Sequence, residues 1–367
     1  MPNIGIIVKS TDADNPFPTD ITALSISNSV DSAADTFSCS GPVSPLRKLK
    51  PFRAGDIQIF AKDKLLLTGY IERVNYDYSA SGNMWQADGR GATGVALEWS
   101  AGPLYSRAAA LIPGASGSVF WSGPPQYQYK NKTMSQIANV LAAGQIISYR
   151  PQPTEVIDFV EIEPGKSVYD VLADLARPRG YIPVPQPNGG LIFFKGAALF
   201  SGANVDTIRE GEYPNLVSLS SSHDITQRHW RYDISTGDNE AQSVSIATST
   251  DAEMPAAIRG IKIEKSKGED APINGAATMM RNRGIVASYG ASLTIAGIYD
   301  TSGRPWRAGA VVALFAPSIH VNQLSNFFVR SVSYSVTPES ITSTLELSLI
   351  EMYTGDYFSL GVPPWRV

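Results

Sequence analysis

The alternation of hydrophobic and polar residues predicts two similar groups of β-strands, one near each end of the chain. In the front group, a short strand from Asp56 to Phe60 precedes a long alternating strand from Leu65 to Tyr78. In the rear group, a short strand from Val311 to Phe315 precedes a long alternating strand from Phe327 to Val336. Turn residues and a returning strand follow each long strand, so each group is predicted to form a β-meander.

The two groups share an order of motifs that indicates an internal duplication. Phe52-Arg53-Ala54-Gly55 precedes the front group, and Trp306-Arg307-Ala308-Gly309 precedes the rear group 254 positions later (306 − 52). Val74 and Val332, in the two long strands, are 258 positions apart (332 − 74). The rear group therefore has about four more residues than the front group, in the turn between its short and long strands. The shared order of turn, strand and hairpin favours duplication more than the short motif does by itself.

A change of periodicity between the two groups predicts a small α+β unit. Thr133 is predicted to cap a helix from Met134 to Ala143, and Ser167 to cap a second helix. A hairpin is predicted around Asn188-Gly189-Gly190. A third helix is predicted further on, from Asn274 to Ser288.

The composition is typical of an ordered globular protein that folds in the cytoplasm. Of the 367 residues, 43% are hydrophobic and 17% are charged, and 31 Gly and 25 Pro favour many turns. The net charge is −4, so the chain has no excess of positive charge to bind phosphates. Stable binding of DNA or RNA is therefore not expected. Cys39 is the single cysteine, which excludes an intrachain disulfide and a multi-cysteine zinc site. Neither a signal peptide nor a transmembrane segment is predicted.

The candidate residues for chemistry favour structural interpretations. His223, His229 and His320 have no acidic or cysteine neighbours at metal-binding spacing. The glycine-rich run from Gly89 to Gly94 lacks the Lys and Ser/Thr of a phosphate-binding loop. Cys39 alternates with an aromatic residue on a strand, so it is predicted to be a buried small residue rather than a nucleophile.

Two pairs of carboxylates remain as candidates for glycoside hydrolysis, which needs only two such groups. They are Glu161 with Glu163 and Glu210 with Glu212, and both pairs are predicted to be solvated edges of strands or turns. The sequence therefore predicts no catalytic, cofactor-binding or metal-binding residues, and the chain is not expected to be an enzyme.

Six motifs, taken in order, resemble the baseplate hub proteins of contractile-tailed bacteriophages, of the phage Mu gene product P type and more distantly of the P2 protein D type. They are Leu67-Thr68-Gly69-Tyr70-Ile71, Gly89-Arg90-Gly91-Ala92-Thr93, Ser167 to Gly180, Gly189-Gly190-Leu191-Ile192, Asn215-Leu216 followed by Tyr232, and Gly303-Arg304-Pro305-Trp306. The order of these motifs is the specific part of the resemblance. Residues 100–132 depart from the pattern that the family leads us to expect.

The resemblance implies an α+β, mainly β fold with two similar tube-type β-barrel domains and an inserted small α+β domain. It also implies a homotrimer whose six barrels surround a channel, joining a hexameric tail tube to a trimeric central spike. The implied partners are further copies of the chain, the spike protein, the tail tube and the surrounding baseplate proteins, with phage DNA present only in transit. The implied location is the tail baseplate of the virion.

The predicted domain organisation combines the periodicity with this resemblance. The boundaries are 1–99 for the first barrel, 100–132 for a loop-rich embellishment, 133–204 for the inserted α+β domain, 205–248 for returning or bridging strands, 249–352 for the second barrel and 353–367 for a C-terminal arm.

Two other functions are compatible with the sequence. A module that binds host glycans would use Trp121, Tyr127 and Tyr129 as stacking platforms. A peptidoglycan hydrolase would need two acidic residues facing each other across a cleft. The internal duplication favours the hub, because neither alternative requires a repeat.

Overall fold

The computed structural model divides the chain into two compact units. Unit 1 comprises Met1–Leu199, Ala296–Gly309 and Ser331–Ser343, and unit 2 comprises Phe200–Ile295, Ala310–Arg330 and Thr344–Val367. The structure describes residues 6–10, 20–43, 56–79, 82–94, 101, 128–142, 146–163, 165–176, 179, 181–195, 206–226, 228–237, 244–254, 260–265 and 273–349.

Strands dominate the described residues, and three α-helices accompany them. The strands are β1 Ile6–Ser10, β2 Ala23–Ser29, β3 Thr36–Pro42, β4 Asp56–Ala61, β5 Lys64–Ser79, β6 Gly82–Gly91, β7 Gln128–Thr133, β8 Ile147–Arg150, β9 Val156–Glu161, β10 Tyr181–Pro185, β11 Leu191–Lys195, β12 Asp206–Arg209, β13 Leu216–His223, β14 Arg231–Gly237, β15 Val244–Thr250, β16 Ile261–Lys265, β17 Tyr289–Ala296, β18 Val311–Ala316, β19 Val321–Val336 and β20 Ile341–Leu349. The α-helices are α1 Met134–Leu141, α2 Val168–Ala176 and α3 Ile273–Ala287. This content confirms the predicted α+β, mainly β class.

Six strands with the same neighbour order occur twice in the chain. In the front repeat the order is β1-β4-β5-β6-β3-β2, and in the rear repeat it is β12-β18-β19-β20-β17-β13. The two differ at the first strand, since β1 runs antiparallel to β4 whereas β12 runs parallel to β18. The duplication inferred from the meanders therefore extends over six strands.

The strand lengths and pairing registers of the two meanders agree. The strands β4, β5 and β6 contain 6, 16 and 10 residues, and β18, β19 and β20 contain 6, 16 and 9. Ile57 lies opposite Gly69 in the front hairpin, and Val312 lies opposite Phe327 in the rear hairpin. Phe327 follows Gly69 by 258 positions (327 − 69), which is the separation of Val332 from Val74. The predicted meander duplication is confirmed.

Residues 128–195 of unit 1 form the predicted small α+β arrangement. Thr133 caps α1 through a capping box with Gln136, because each residue's side chain accepts from the backbone N–H of the other. Ser167 Oγ accepts a hydrogen bond from the Asp170 N–H (3.0 Å), which supports the start of α2. The strands β10 and β11 form the predicted hairpin, and β8 runs parallel to β11. Met134 and Phe193 are fully buried in the shared core.

A second α+β arrangement separates β13 from β17 in unit 2. The strands β15, β14 and β16 form a sheet, and α3 contacts β14 and β15. Buried Tyr232 accepts a hydrogen bond from the His229 N–H at its phenolic oxygen (2.9 Å). A Cβ atom at Gly284 of α3 would lie 2.1 Å from that oxygen, so glycine permits the helix to approach the sheet. In the front repeat, only the short bend at residues 30–35 separates β2 from β3.

Several predicted features lie outside the described residues, including Phe52-Arg53-Ala54-Gly55, Trp121, Tyr127 and the arm at 353–367. The predicted domain boundaries stay predictions. Among the described residues, no helix has the length and apolar character that crossing a membrane requires.

Candidate functional site

The structure brings two of the three histidines, His223 and His320, together. The ring centroids of His223 and His320 lie 5.8 Å apart, and the ring of His223 also packs edge-on against Tyr289. His229 instead contacts Tyr232. In the described part of the chain, no three His, Cys, Asp or Glu side chains form a group that could hold a metal ion.

Cys39 and Tyr129 are both buried. Burial raises the pKa of the Cys39 thiol to about 12, so this residue is unsuited to thiolate chemistry, as its position on a strand predicted. Tyr129 lies in the core formed around α1 and α2, so its ring is not available as a stacking platform for a sugar.

The candidate carboxylate pairs lie on the surface and have structural partners. Glu161 accepts a hydrogen bond from the Gln128 side chain, and Glu163 forms an ion pair with Lys166. In unit 2, the Glu210 side chain accepts from the backbone N–H of Ser318 (3.0 Å).

A buried ionic cluster in unit 2 gave no signal in the sequence. Arg228 donates to both carboxylate oxygens of Asp251 (2.7 and 3.1 Å) and to Glu253 (2.8 Å). The bidentate geometry satisfies charges that would otherwise be costly to bury. The cluster joins the chain before β14 to the chain after β15, so its role is structural.

A polar arrangement in unit 1 holds the Trp306-Arg307-Ala308-Gly309 motif. The Ala308 N–H donates to Asn28 Oδ1 (2.7 Å), and Asn28 Nδ2 donates to Asp35 Oδ1 (2.5 Å). Arg307 Nη2 donates to the carbonyl of Leu65 (2.6 Å) in β5. The motif is therefore attached to the bend after β2 and to the start of the long front strand.

The electrostatics of this motif depend on its burial. Burial raises the pKa of the Asp35 carboxyl to about 6, although the Asn28 hydrogen bond and the Arg307 charge oppose the shift. Burial also lowers the pKa of the Arg307 guanidinium. The Tyr334 hydroxyl donates to the carbonyl of Trp306, which connects the motif to the end of β19. These contacts form one partly buried polar network, whose members stabilise one another.

The end of β19 completes the sheet of the front repeat. Ser331–Val336 runs antiparallel to β2, with Tyr334 opposite Ile26 and Val336 opposite Leu24. Tyr334, Val336 and their two partners are buried. The strand β2, the outermost strand of the front repeat, therefore has a neighbour on both sides, β3 and β19.

The corresponding end of β5 has a different environment. Arg73–Tyr78 matches Ser331–Val336 at the separation of 258 positions. This segment pairs with β6 on one side. The described part of β4 pairs with β5 only as far as Tyr70, and no described strand lies along the other side of Arg73–Tyr78. The Tyr78 side chain is 62% exposed, whereas its counterpart Val336 is 3% exposed.

The outer strand of the rear repeat also lacks a second neighbour. The strand β13, the counterpart of β2, pairs with β17, and no other described strand lies beside it. Val217 of β13 is largely exposed. An uncovered strand edge presents backbone donors and acceptors that can pair with another chain. The two strand edges that lack a neighbour among the described strands, Arg73–Tyr78 and β13, are candidate assembly interfaces.

Comparisons with known proteins found a match for one segment of the chain and for its fold. Residues 121–195 match the family model described as the second domain of the gp44-like baseplate hub protein. No curated protein matches the chain in sequence.

Solved structures with the same fold cover nearly the whole chain. The 43 kDa tail protein of prophage MuSo2 from Shewanella oneidensis is 17% identical, with a TM-score of 0.74 over 95% of this chain and 99% of that one. The tail protein from Neisseria meningitidis MC58 is 16% identical, with a TM-score of 0.76 over 96% and 99%. The E. coli c3393 protein, a type VI secretion component similar to T4 tail proteins gp27 and gp5, is 10% identical, with a TM-score of 0.56 over 97% and 80%.

The matched family and two of these structures are baseplate or tail proteins, in agreement with the prediction that the chain is not an enzyme. The predicted resemblance to phage baseplate hub proteins is confirmed: residues 121–195 match the model of the gp44-like second domain, and the chain has the same fold as these tail proteins.

Proposed function

We propose that the chain is the structural hub of a contractile phage tail baseplate, in which three copies form a ring. Each copy contributes its front and rear repeats, so the ring contains six similar units. The ring adapts the hexameric tail tube to the trimeric central spike and surrounds the channel through which DNA leaves the virion.

The repetition of the six-strand order carries this proposal. Three identical chains impose threefold symmetry, and two similar repeats in each chain add an approximate sixfold arrangement. One face of such a ring can match a hexamer while the other matches a trimer. A monomeric surface module or a hydrolase has no requirement for this duplication.

The net charge of −4 supports passage of DNA rather than its retention. Stable binding would require many phosphate contacts from Lys and Arg. The hub is assembled in the host cytoplasm, and its partners are the spike, the tail tube and the surrounding baseplate proteins. Residues 133–204 lie outside the ring and contact those surrounding proteins.

The mass of the purified protein in solution tests the ring. Light scattering behind a sizing column should give three times 39.5 kDa. The measurement is repeated over a range of concentrations and with the spike protein added, because ring formation by mass action depends on both. A chain that stays monomeric under all of these conditions would exclude the trimeric hub.

The burial of Tyr129 removes one of the three aromatic residues on which the glycan-binding alternative depended. No observation favours that alternative or the hydrolase over the hub.

A further inference from the structure

We infer that the ring closes by antiparallel pairing of β13 of one chain with the Arg73–Tyr78 segment of β5 in the next chain. The inference rests on the proposed trimer and specifies the residues that join its subunits. The partner surface is a second copy of this chain, and the contact is heterologous because two different edges meet.

The pairing of β19 with β2 serves as the template. At that contact, the end of a long meander strand covers the outer edge of a strand from the other repeat. The counterparts of these two strands in the other repeat are β5 and β13. Each has an edge along which no described strand lies. A contact of the same kind between chains would give every repeat the same neighbours and would leave no open edge around the ring.

The pairings in the front repeat fix the register of the template. Ser25 of β2 lies opposite Ser335 of β19 on one side and opposite Ser38 of β3 on the other. Ser38 in turn lies opposite Asp88 of β6. These four residues therefore form one row across the sheet.

A matching row identifies the counterpart of Ser25 in the rear repeat. Ser220 of β13 lies opposite Ser292 of β17, and Ser292 is hydrogen-bonded to Glu346 of β20 (2.8 Å). Glu346 follows Asp88 by 258 positions (346 − 88), the separation that relates the two long strands. Ser220 is therefore the counterpart of Ser25.

The template then predicts the register between chains. The counterpart of Ser335 is Asp77, so Asp77 should lie opposite Ser220. Tyr78 should lie opposite Leu219, as Val336 lies opposite Leu24. This pairing would cover Tyr78, whose side chain is exposed far more than that of Val336. Directly opposite side chains of this kind contribute to sheet stability.

A disulfide across the predicted contact tests the register. The double variant Asp77→Cys with Ser220→Cys places two thiols at directly opposite positions, where Cα atoms lie about 4.5–5.5 Å apart, within reach of a disulfide. Both native residues are exposed, and the native Cys39 is buried, so it does not compete. Mild oxidation of the trimer should give a covalent trimer on a non-reducing gel, and reduction should return the monomer.

A shifted pair is the matched control. Asp77→Cys with Ser222→Cys moves the second thiol two residues along β13, which separates the Cα atoms by more than about 7 Å and prevents a disulfide in the predicted register. The Asp77→Cys single variant should also remain unlinked. Light scattering of each variant before oxidation shows whether its ring has formed.

The possible outcomes distinguish an error in this contact from an error in the trimer itself. A trimer that gives no covalent trimer with the Asp77/Ser220 pair, or that links equally through the shifted pair, overturns the contact and leaves the trimer intact. A link within one chain, seen as a monomer of altered mobility, also overturns it. A protein that remains monomeric and unlinked overturns the contact and the trimeric hub together.

Discussion

The long strands β5 and β19 show how one strand pattern serves two environments. Each contains 16 residues, and each has several buried positions in its first half. In the second half, Val332, Tyr334 and Val336 remain buried, whereas Tyr78 of β5 is exposed. The difference lies in the neighbouring strand, because the end of β19 meets β2 and the end of β5 meets no described strand.

An exposed residue can therefore carry the sequence pattern of a buried one. Tyr76 corresponds to Tyr334, and both are aromatic residues on the same face of their strands. A solvated edge does not need this alternation, so its presence in β5 is evidence that the edge becomes covered. Changes at matched positions of the two repeats can test this interpretation.

The largest expected loss of stability follows removal of the Arg307 guanidinium. Arg307→Leu leaves the Leu65 carbonyl without this donor and removes the positive charge near buried Asp35. Losing a hydrogen bond from a charged donor and leaving the Asp35 carboxyl without the nearby positive charge together cost about 4 kcal/mol in the free energy of unfolding. Urea unfolding at a fixed protein concentration measures the loss. Arg304→Ala is the control, because it removes a more exposed ion pair with Asp300 in the same loop and should cost less than about 0.5 kcal/mol. Equal losses of unfolding free energy in the two variants would contradict the role of Arg307.

A smaller loss is expected where the repeats differ in side-chain size. Gly69 of β5 corresponds to fully buried Phe327 of β19. A Cβ atom at Gly69 would lie 2.1 Å from the Arg90 carbonyl oxygen, so Gly69→Ala should lower the free energy of unfolding by about 3 kcal/mol. Gly290→Ala is the control, because a Cβ there meets open space and should change stability by less than about 0.5 kcal/mol. Tolerance of alanine at Gly69 would show that the front strands are not packed as described.

The buried Asp35 predicts a dependence of stability on pH. Its pKa is raised by burial from 3.8 to about 6, so the folded chain holds this proton over a range in which the unfolded chain has lost it. The contribution of Asp35 to stability should therefore fall as the pH rises, by about 2 kcal/mol between pH 4 and 6.5. Urea unfolding of the protein and of Asp35→Asn across this range isolates the effect. A difference between them that does not change with pH would contradict the raised pKa.

The smallest effect on the fold is expected at the strand edge. Tyr78→Lys should change the free energy of unfolding of the monomer by less than about 0.5 kcal/mol, because the residue is exposed. The same substitution should prevent formation of the trimer, since lysine protects strand edges from pairing. Val336→Lys, at the matched buried position, should instead destabilise the monomer, because it places a charge at a buried site. Light scattering and circular dichroism of both variants distinguish these outcomes, and a Tyr78→Lys variant that remains trimeric would remove this edge from the interface.

The sequence predicted those parts of the fold that local patterns encode. Alternation located the two meanders, and Thr133 and Ser167 marked the starts of α1 and α2. These signals are local, because a strand period or a helix cap involves residues only a few positions apart.

The features that the sequence did not predict depend on contacts between distant residues. Arg307 and Leu65 are separated by 242 positions, and Arg228 and Asp251 by 23. No spacing or periodicity indicates such partners. The six-strand repeat was only partly visible because residues 224–288 separate β13 from β17, whereas a short bend separates β2 from β3. The candidate interface was not visible either, since an uncovered edge is a property of the assembled sheet.

The symmetry of the assembled particle is the decisive test of the proposed trimeric ring. Electron microscopy of the purified assembly, viewed along its axis, should show a ring of six similar lobes around a channel at low resolution. At higher resolution, the lobes should alternate between front and rear repeats and obey threefold symmetry. A ring with six copies of the chain, a closed dimer, or three chains whose two repeats do not alternate would contradict the account.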